Sequence, residues 1–228
     1  MDIRANLAII PELLGNHLDS VREMIRRDKN RACVIAWSLF NEPDSASDAS
    51  EIYFARVFEE ALACDPQKRP RTFTLLFMSG PDTCKCRQLC DFISLNRYYG
   101  WYMMGGIETG KAEAAMRKEL EGWKNKSPDK PFIFAEYGAD CLAGIHKLPS
   151  VQWSEEYQTE ILEMNHRVFD SFDFVRGEQV WAFADFQTGE GIIRADGNKK
   201  GVFTRQRQPK SSAFCLKRRW ESIPLNYK

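Results

Sequence analysis

Residues 33–44 read CVIAWSLFNEPD: a nearly continuous apolar run followed by Asn41, Glu42, Pro43 and Asp44. A run of this length is typical of a strand that is buried on both faces, as in a parallel sheet. Before this run, Leu18, Val21 and Ile25 are spaced as on one face of a helix. The helix–strand order around this stretch predicts an α/β protein.

The same alternation continues along the chain. Further strands are predicted at 72–78, 92–96, 131–135 and 179–183, which makes five with residues 33–40. A short cysteine-bearing loop joins the second strand to the third, and helices are predicted between the others. The first of these helices is opened by a capping box at Asp48–Glu51 and has Ile52, Ala55, Phe58 and Leu62 on its buried face. Later helical stripes run through 112–123, 153–172 and 213–220. A closed (β/α)8 barrel needs eight strands, three more than we find.

Composition narrows the class of protein. The chain has 228 residues with 32 basic and 32 acidic side chains, which argues against a main role in coating nucleic acid or an anionic membrane. No apolar run approaches the roughly 20 residues of a membrane span. Residues 191–228 carry ten basic and two acidic side chains, however, so the tail is basic and the rest acidic.

Cysteine and histidine patterns do not predict a metal site. Seven scattered cysteines do not resemble a disulfide framework, and only Cys84, Cys86 and Cys90 cluster. We interpret that cluster as a thiol-containing loop rather than a zinc site, because no histidine lies nearby. The single histidines His17, His146 and His166 are interpreted as surface or packing residues.

Polar clusters follow the predicted strands at their carboxyl ends, where parallel α/β folds place their active sites. Glu42 follows the first strand and Glu136 the fourth, while aromatic residues follow the third and fifth. A single carboxylate at a strand end is more often a cap or a rim charge. Two such glutamates with aromatic neighbours are what glycosidic bond cleavage requires, one to donate a proton and one to attack.

Five motifs resemble the β-glucuronidases of glycoside hydrolase family 2 and appear in family order from about Leu18 to Trp220. They are Ser38–Pro43, Leu95–Tyr102, Ala135–Asp140, Glu178–Phe186 and Asn198–Lys210.

The resemblance implies the chemistry of the site. Glu42 would be the general acid/base and Glu136 the nucleophile of a retaining mechanism. The substrate-binding residues that it implies are Asn41, Tyr98, Tyr102, Trp181, Arg194, Asn198 and Lys200. Asn41 would bind the sugar 2-hydroxyl, and Asn198 with Lys200 would recognise the C6 carboxylate, with Arg194 nearby. No cofactor or metal is implied.

The basic tail keeps other interpretations open. Taken without the motifs, residues 194–219 would be a solvated basic face, and a nucleic-acid patch is a third interpretation. With the motifs in register, anion recognition is favoured for Asn198 and Lys200, and a surface role for Lys217, Arg218 and Arg219.

The resemblance also implies an architecture and partners. Residues 1–228 would form a partial TIM-barrel catalytic domain, from about strand 4 to helix 8, without the jelly-roll and immunoglobulin-like domains of the family. A small-molecule or oligosaccharide glucuronide would be the substrate. No nucleic-acid or membrane partner is expected, and full-length family members are often tetramers. The family occurs in bacterial cytoplasm and in lysosomes, so the compartment stays open.

Two alternatives also remain: an inactive fragment that binds carbohydrate or a partner chain, and a β-galactosidase-type hydrolase.

Overall fold

The computed structural model describes residues 12–106 and 109–224. Strands and helices alternate along it, as the two periodicities of the sequence predict. The strands are β1 (Trp37–Asn41), β2 (Arg71–Leu75), β3 (Ile93–Asn96), β4 (Phe132–Glu136) and β5 (Val175–Glu178). The helices are α1 (Glu12–Asp28), α2 (Asp48–Cys64), α3 (Thr109–Lys126), α4 (Glu155–Asp170) and α5 (Ser211–Ser222), with a 3-10 turn at Arg87–Leu89.

The five strands form one parallel sheet in the order β1-β2-β3-β4-β5. Trp37 pairs with Arg71 and Thr74 with Ser94, so β1, β2 and β3 run in the same direction, with a shift of register between Ser38 and Asn41 of β1. In a parallel sheet all carboxyl ends lie at one edge, which is why residues that follow different strands can share a site.

The described residues divide into two compact units. Unit 1 is drawn from Met1–Asn96 and Glu119–Phe134, and unit 2 from Arg97–Lys118 and Ala135–Lys228. The division falls within β4, whose last two residues, Ala135 and Glu136, belong to unit 2.

Aromatic packing forms the core of unit 1. Phe40 of β1 stacks on Phe54 of α2 with ring centroids 4.0 Å apart, and Phe73 of β2 meets Phe54 edge-on at 5.0 Å. Trp123 of α3 packs against Phe132 of β4 at 6.1 Å. Each pair joins a helix to a strand. Aromatic contacts of this kind stabilise the fold beyond the effect of burying apolar surface.

Helix α4 is a largely buried helix of unit 2. Its residues Ile161, Met164 and Val168 are buried, as the helical stripe predicts. The side chain of Ser154 caps its first turn by accepting a hydrogen bond from the Tyr157 amide at 3.2 Å. Glu155 then joins α4 to α5, because one of its carboxylate oxygens accepts from the Ser211 amide at 2.6 Å.

Three of the predictions for β1 and α2 are wrong. The strand begins at Trp37 rather than Cys33, and Ile35 is 78% exposed, since pairing with β2 starts only at Trp37. The capping box at Asp48–Glu51 is not formed; the N-cap is Ser47, without a side-chain cap hydrogen bond. The buried face of α2 is Ser50, Tyr53, Phe54, Val57, Phe58 and Ala61. Ile52 and Leu62 are exposed.

The fifth strand is also misplaced by the sequence pattern. It spans Val175–Glu178, and the apolar segment 179–183 follows it as irregular backbone. Phe183 is exposed, so the apolar composition of this segment does not indicate a buried strand. The number of strands and their alternation with helices are nevertheless as predicted.

Among the described residues, we find no helix with the length and apolar character needed to span a lipid bilayer.

Candidate active site

Glu42 follows directly after β1 in unit 1. Asn41 is the last residue of the strand, and the Glu42 amide donates to the carbonyl oxygen of Thr74 on β2 at 2.9 Å. Its backbone φ is +50°, in the left-handed region that residues other than glycine rarely adopt. The strand therefore ends in a local turn that is anchored to its neighbour.

Asn96, the last residue of β3, holds the Glu42 side chain. Its Nδ2 donates to Glu42 Oε1 at 2.9 Å and reaches Asn41 Oδ1 at 3.4 Å. Asn96 is buried, so its amide is fixed when it meets the carboxylate. Sequence reasoning gave Asn96 no role, although its place at a strand's carboxyl end was the available signal.

Glu136 is the last residue of β4 and lies in unit 2. The hydroxyl of Tyr98 donates to Glu136 Oε2 at 2.6 Å, and the Arg97 amide donates to the Glu136 carbonyl oxygen at 2.9 Å. In unit 2, Tyr98 therefore fixes the direction of the Glu136 side chain.

Lys200 lies buried among the aromatic side chains of the same unit. It is 1% exposed, and its Nζ donates to the Tyr102 hydroxyl at 2.7 Å. The Nζ atom also lies 4.4 Å from the centroid of the Tyr102 ring and 5.4 Å from that of Tyr98, within cation–π range. Asp140 supplies the counter-charge through an ion pair with Lys200. A buried ammonium requires such partners.

Arg194 converges on the same tyrosine. Its Nη2 donates to the Tyr102 hydroxyl at 2.6 Å, and its Nη1 lies 3.8 Å from Asp140 Oδ2. Asn198 is buried and accepts from the Lys200 amide at 3.0 Å through its side-chain oxygen. Four of the predicted residues, Tyr102, Arg194, Asn198 and Lys200, are therefore brought together, with Asp140 as a member that sequence reasoning missed.

Two buried side chains support the segment that carries Lys200. Lys210 donates to Asp185 at 2.8 Å, to the Lys199 carbonyl oxygen at 2.9 Å and to that of Cys141 at 3.0 Å. Gln158 of α4 donates to the carbonyl oxygen of Ala139 at 2.8 Å. Burial raises the pKa of Asp185, against the opposing effect of Lys210. The segments 139–141 and 199–201 are thereby tied to the helical core.

Trp181 joins the site through its backbone. Its amide donates to the Tyr137 carbonyl oxygen at 2.9 Å, one residue beyond Glu136, while its ring packs edge-on against Phe186 at 5.9 Å. A Cβ at Gly138, where φ is +142°, would lie 2.8 Å from the Trp181 carbonyl oxygen. Only glycine allows this close approach of the two backbones.

The other titratable candidates have structural partners. His17 contacts Tyr53 and the Leu39 carbonyl oxygen, each at 3.1 Å, and His146 lies at the surface beside Glu156. Burial, together with Arg219, lowers the pKa of His166 to about 3. Burial raises the pKa of Cys90 to about 12, so it is an unreactive thiol at neutral pH. No group of three metal-ligating side chains occurs in residues 12–106 or 109–224.

The basic tail is divided between buried and exposed cations. Lys200 and Lys210 are buried, whereas Lys217 and Arg218 are exposed, as predicted. The surface role predicted for Arg219 is wrong. Its guanidinium is largely buried and pairs with Glu178 at 2.7 Å and with Asp170 at 2.9 Å, which fixes α5 to the end of β5.

The sequence of the chain is clearly related to known proteins that share this fold. Residues 3–225 match the sequence model of "Glycosyl hydrolases family 2, TIM barrel domain", and the chain belongs to this family. It is 48% identical to a β-glucuronidase of Paenibacillus borealis over 92% of this chain and 34% of that protein. It is 45% identical to one of Streptococcus agalactiae over 91% of this chain and 35% of that protein.

A solved structure adds a fold comparison. The β-glucuronidase from Ruminococcus gnavus in complex with D-glucuronic acid superposes with a TM-score of 0.91 at 58% identity, covering 92% of this chain and 37% of that one. The chain therefore spans about a third of the length of these relatives, between 34% and 37%.

Proposed function

We propose that the chain carries the catalytic residues of a glycoside hydrolase that cleaves terminal β-D-glucuronides with retention. The observation that supports this most strongly is the buried Lys200, which lies in the same unit as the tyrosine-bound Glu136. A buried cation among aromatic rings suits a sugar that carries a carboxylate, since a neutral hexose would leave that charge without a partner from the substrate.

Glu136 is the proposed nucleophile and Glu42 the proposed acid/base. Glu136 accepts a hydrogen bond from Tyr98, which fixes the direction of its side chain. Glu42 would donate a proton to the leaving oxygen and later take one from water, with Asn96 orienting its side chain. Retention requires the two carboxyl groups to lie about 5–5.5 Å apart in the working enzyme.

The carboxylate of the sugar is proposed to bind at Lys200 and Asn198, with Arg194 and Tyr102 as further donors. The Tyr102 oxygen accepts from both cations, which leaves its own proton for another acceptor. Asn41 would bind the 2-hydroxyl, and Trp181 would line the site. The names of the relatives, and the D-glucuronic acid bound in one of their structures, support this substrate class.

The chain's place in a larger enzyme is also a proposal. The described residues form five strands, whereas the barrel of the family has eight. The chain also matches only about a third of each relative. Both observations support a partial catalytic barrel. The jelly-roll and immunoglobulin-like domains, and assembly into a tetramer, would then belong to the longer protein.

A comparison of sugars tests the proposed reaction. At high concentration of the 228-residue chain, we expect release of a chromophore from a β-D-glucuronide but not from the matching β-D-galactoside. Glu136→Gln should lower the rate by roughly 10⁴-fold or more, because the attacking group is lost. Glu121→Gln, on the exposed face of α3, is the matched control and should leave the rate unchanged. Faster hydrolysis of the β-D-galactoside would instead support a β-galactosidase-type enzyme.

A second candidate function is binding without turnover, favoured by the small fraction of each relative that the chain spans. It predicts that the chain binds D-glucuronate in preference to D-glucose but releases no chromophore. Titration calorimetry with both sugars, run beside the activity assay, separates the two functions.

A further inference from the structure

Asp140 is fully buried in unit 2 and contacts both cations of the proposed carboxylate site. Its Oδ2 pairs with Lys200 Nζ and lies 3.8 Å from Arg194 Nη1, while its Oδ1 accepts from the Lys199 amide at 2.8 Å. The backbone contact fixes the carboxylate, because the amide belongs to the residue next to Lys200.

The two cations need a counter-charge to occupy this arrangement. Lys200 and Arg194 both donate to one atom, the Tyr102 hydroxyl oxygen, at 2.7 Å and 2.6 Å. Two positive charges that converge on one oxygen repel each other, and Lys200 is removed from water. The carboxylate of Asp140 offsets one of the two charges and leaves a single net positive charge, which matches one substrate carboxylate.

We propose that Asp140 is a positioning residue that holds Lys200 and Arg194 together, so that both present donors to the carboxylate of the sugar. The proposal rests on the proposed glucuronide specificity and adds a residue that acts through the two cations without contacting the substrate. Without this acid the cations separate, and the site loses its preference for a uronate over a neutral sugar.

A buried pair in unit 1 provides a matched control. Asp65 pairs with Arg69 at 2.9 Å, and both side chains are largely buried, as those of Asp140 and Lys200 are. Asp65 also accepts a hydrogen bond from Trp37 and lies outside the proposed carboxylate site. The variant Asp65→Asn therefore reports the general cost of neutralising a buried aspartate.

The binding experiment compares D-glucuronate and D-glucose on the 228-residue chain by titration calorimetry. Asp140→Asn should weaken D-glucuronate binding by tenfold or more and change D-glucose binding by less than twofold. Asp65→Asn should leave the ratio of the two affinities unchanged. In the background of Lys200→Met, Asp140→Asn should lose most of its effect, since it acts through that lysine. An equal loss for both sugars, or tighter D-glucuronate binding, would overturn the proposal.

A second measurement does not depend on sugar binding. Acylation of lysine amines with acetic anhydride, followed by mass spectrometry, should show Lys200 protected in the unmodified chain and at least fivefold more reactive in Asp140→Asn, with Lys210 still protected. Continued protection of Lys200 in that variant refutes the positioning role. If the labelling changes as expected but the unmodified chain does not prefer D-glucuronate to D-glucose, it is the proposed function that fails.

Discussion

Glu42 combines a proposed catalytic side chain with an unfavourable backbone conformation. Its φ of +50° places a residue with a Cβ in the left-handed region, which costs roughly 1–2 kcal/mol. The hydrogen bond to Thr74 and the contact from Asn96 hold it there. Such strain is common at functional sites, where the surrounding structure dictates an otherwise rare conformation.

This strain has a measurable consequence. Glu42→Gly should be more stable than Glu42→Ala by about 1 kcal/mol, because both remove the carboxylate but only glycine adopts a positive φ at low cost. Urea unfolding of the two variants measures the difference. At the exposed helical residue Lys118 the order should reverse, with alanine the more stable. A Glu42→Ala chain as stable as Glu42→Gly would contradict the assignment of strain.

At the scale of elements, a buried acid anchors the start of β1 to the turn that follows α2. Asp65 accepts from Trp37 Nε1 at 2.9 Å and from Arg69 Nη1 at 2.9 Å. Burial alone would raise the pKa of Asp65, but the hydrogen bonds from Trp37, from the backbone of Arg69 and Gln67, and from the Arg69 side chain outweigh it and hold the pKa below its usual value. The charged form therefore stabilises the fold.

Asp65→Asn should lower the free energy of unfolding by about 3 kcal/mol at pH 7, because it leaves the buried guanidinium of Arg69 without its counter-ion. The contribution of Asp65 is complete above its unfolded pKa of about 4 and is lost as the pH falls through the lower folded pKa. The difference between the parent chain and the variant should therefore shrink below pH 4.

Urea unfolding between pH 3 and pH 7 checks this expectation. Asp129→Asn, at an exposed position, is the control and should change stability by less than about 0.5 kcal/mol. A difference between the parent chain and Asp65→Asn that is constant over this range would refute the role of the charge.

At the scale of the molecule, unit 2 carries an apolar groove outside the proposed site. Its cavity of about 800 Å³ is lined by side chains from the segment after β5 and from α5, among them Val180, Phe183, Phe203, Pro209, Phe214 and Trp220. Phe183 is 64% exposed and Trp220 51% exposed. An apolar surface of this kind is unusual on an isolated soluble domain.

The groove should bind an apolar fluorescent dye. Replacing Phe214 and Trp220 together by serine should reduce the dye fluorescence of the folded chain at least threefold, because it removes two exposed aromatic walls. Leu148→Ser, at an exposed loop residue outside the groove, should leave the fluorescence unchanged. Equal fluorescence of the parent and the double variant would show that the dye binds elsewhere.

Local patterns predicted most of the elements, and pairing between distant segments explains where they were wrong. The stripe Ala112, Met116, Leu120 and Trp123 is buried along α3, because helical spacing and a core face coincide there. Strand β5 contains Arg176, Gly177 and Glu178, so its composition does not signal a strand. Its extended form depends on pairing within the sheet, which no local window contains.

The sequence by itself determined the alternation of strands and helices, the strand-end positions of Glu42 and Glu136, and the motifs shared with the family, because periodicity and spacing are local properties of the chain. Only the tertiary structure decided which groups meet. Asn96 contacts Glu42 across 54 positions, and Asp140 pairs with Lys200 across 60. A buried charge pairs with the residue that the fold brings within hydrogen-bonding distance. Which residue that is depends on which distant segments of the chain pack together.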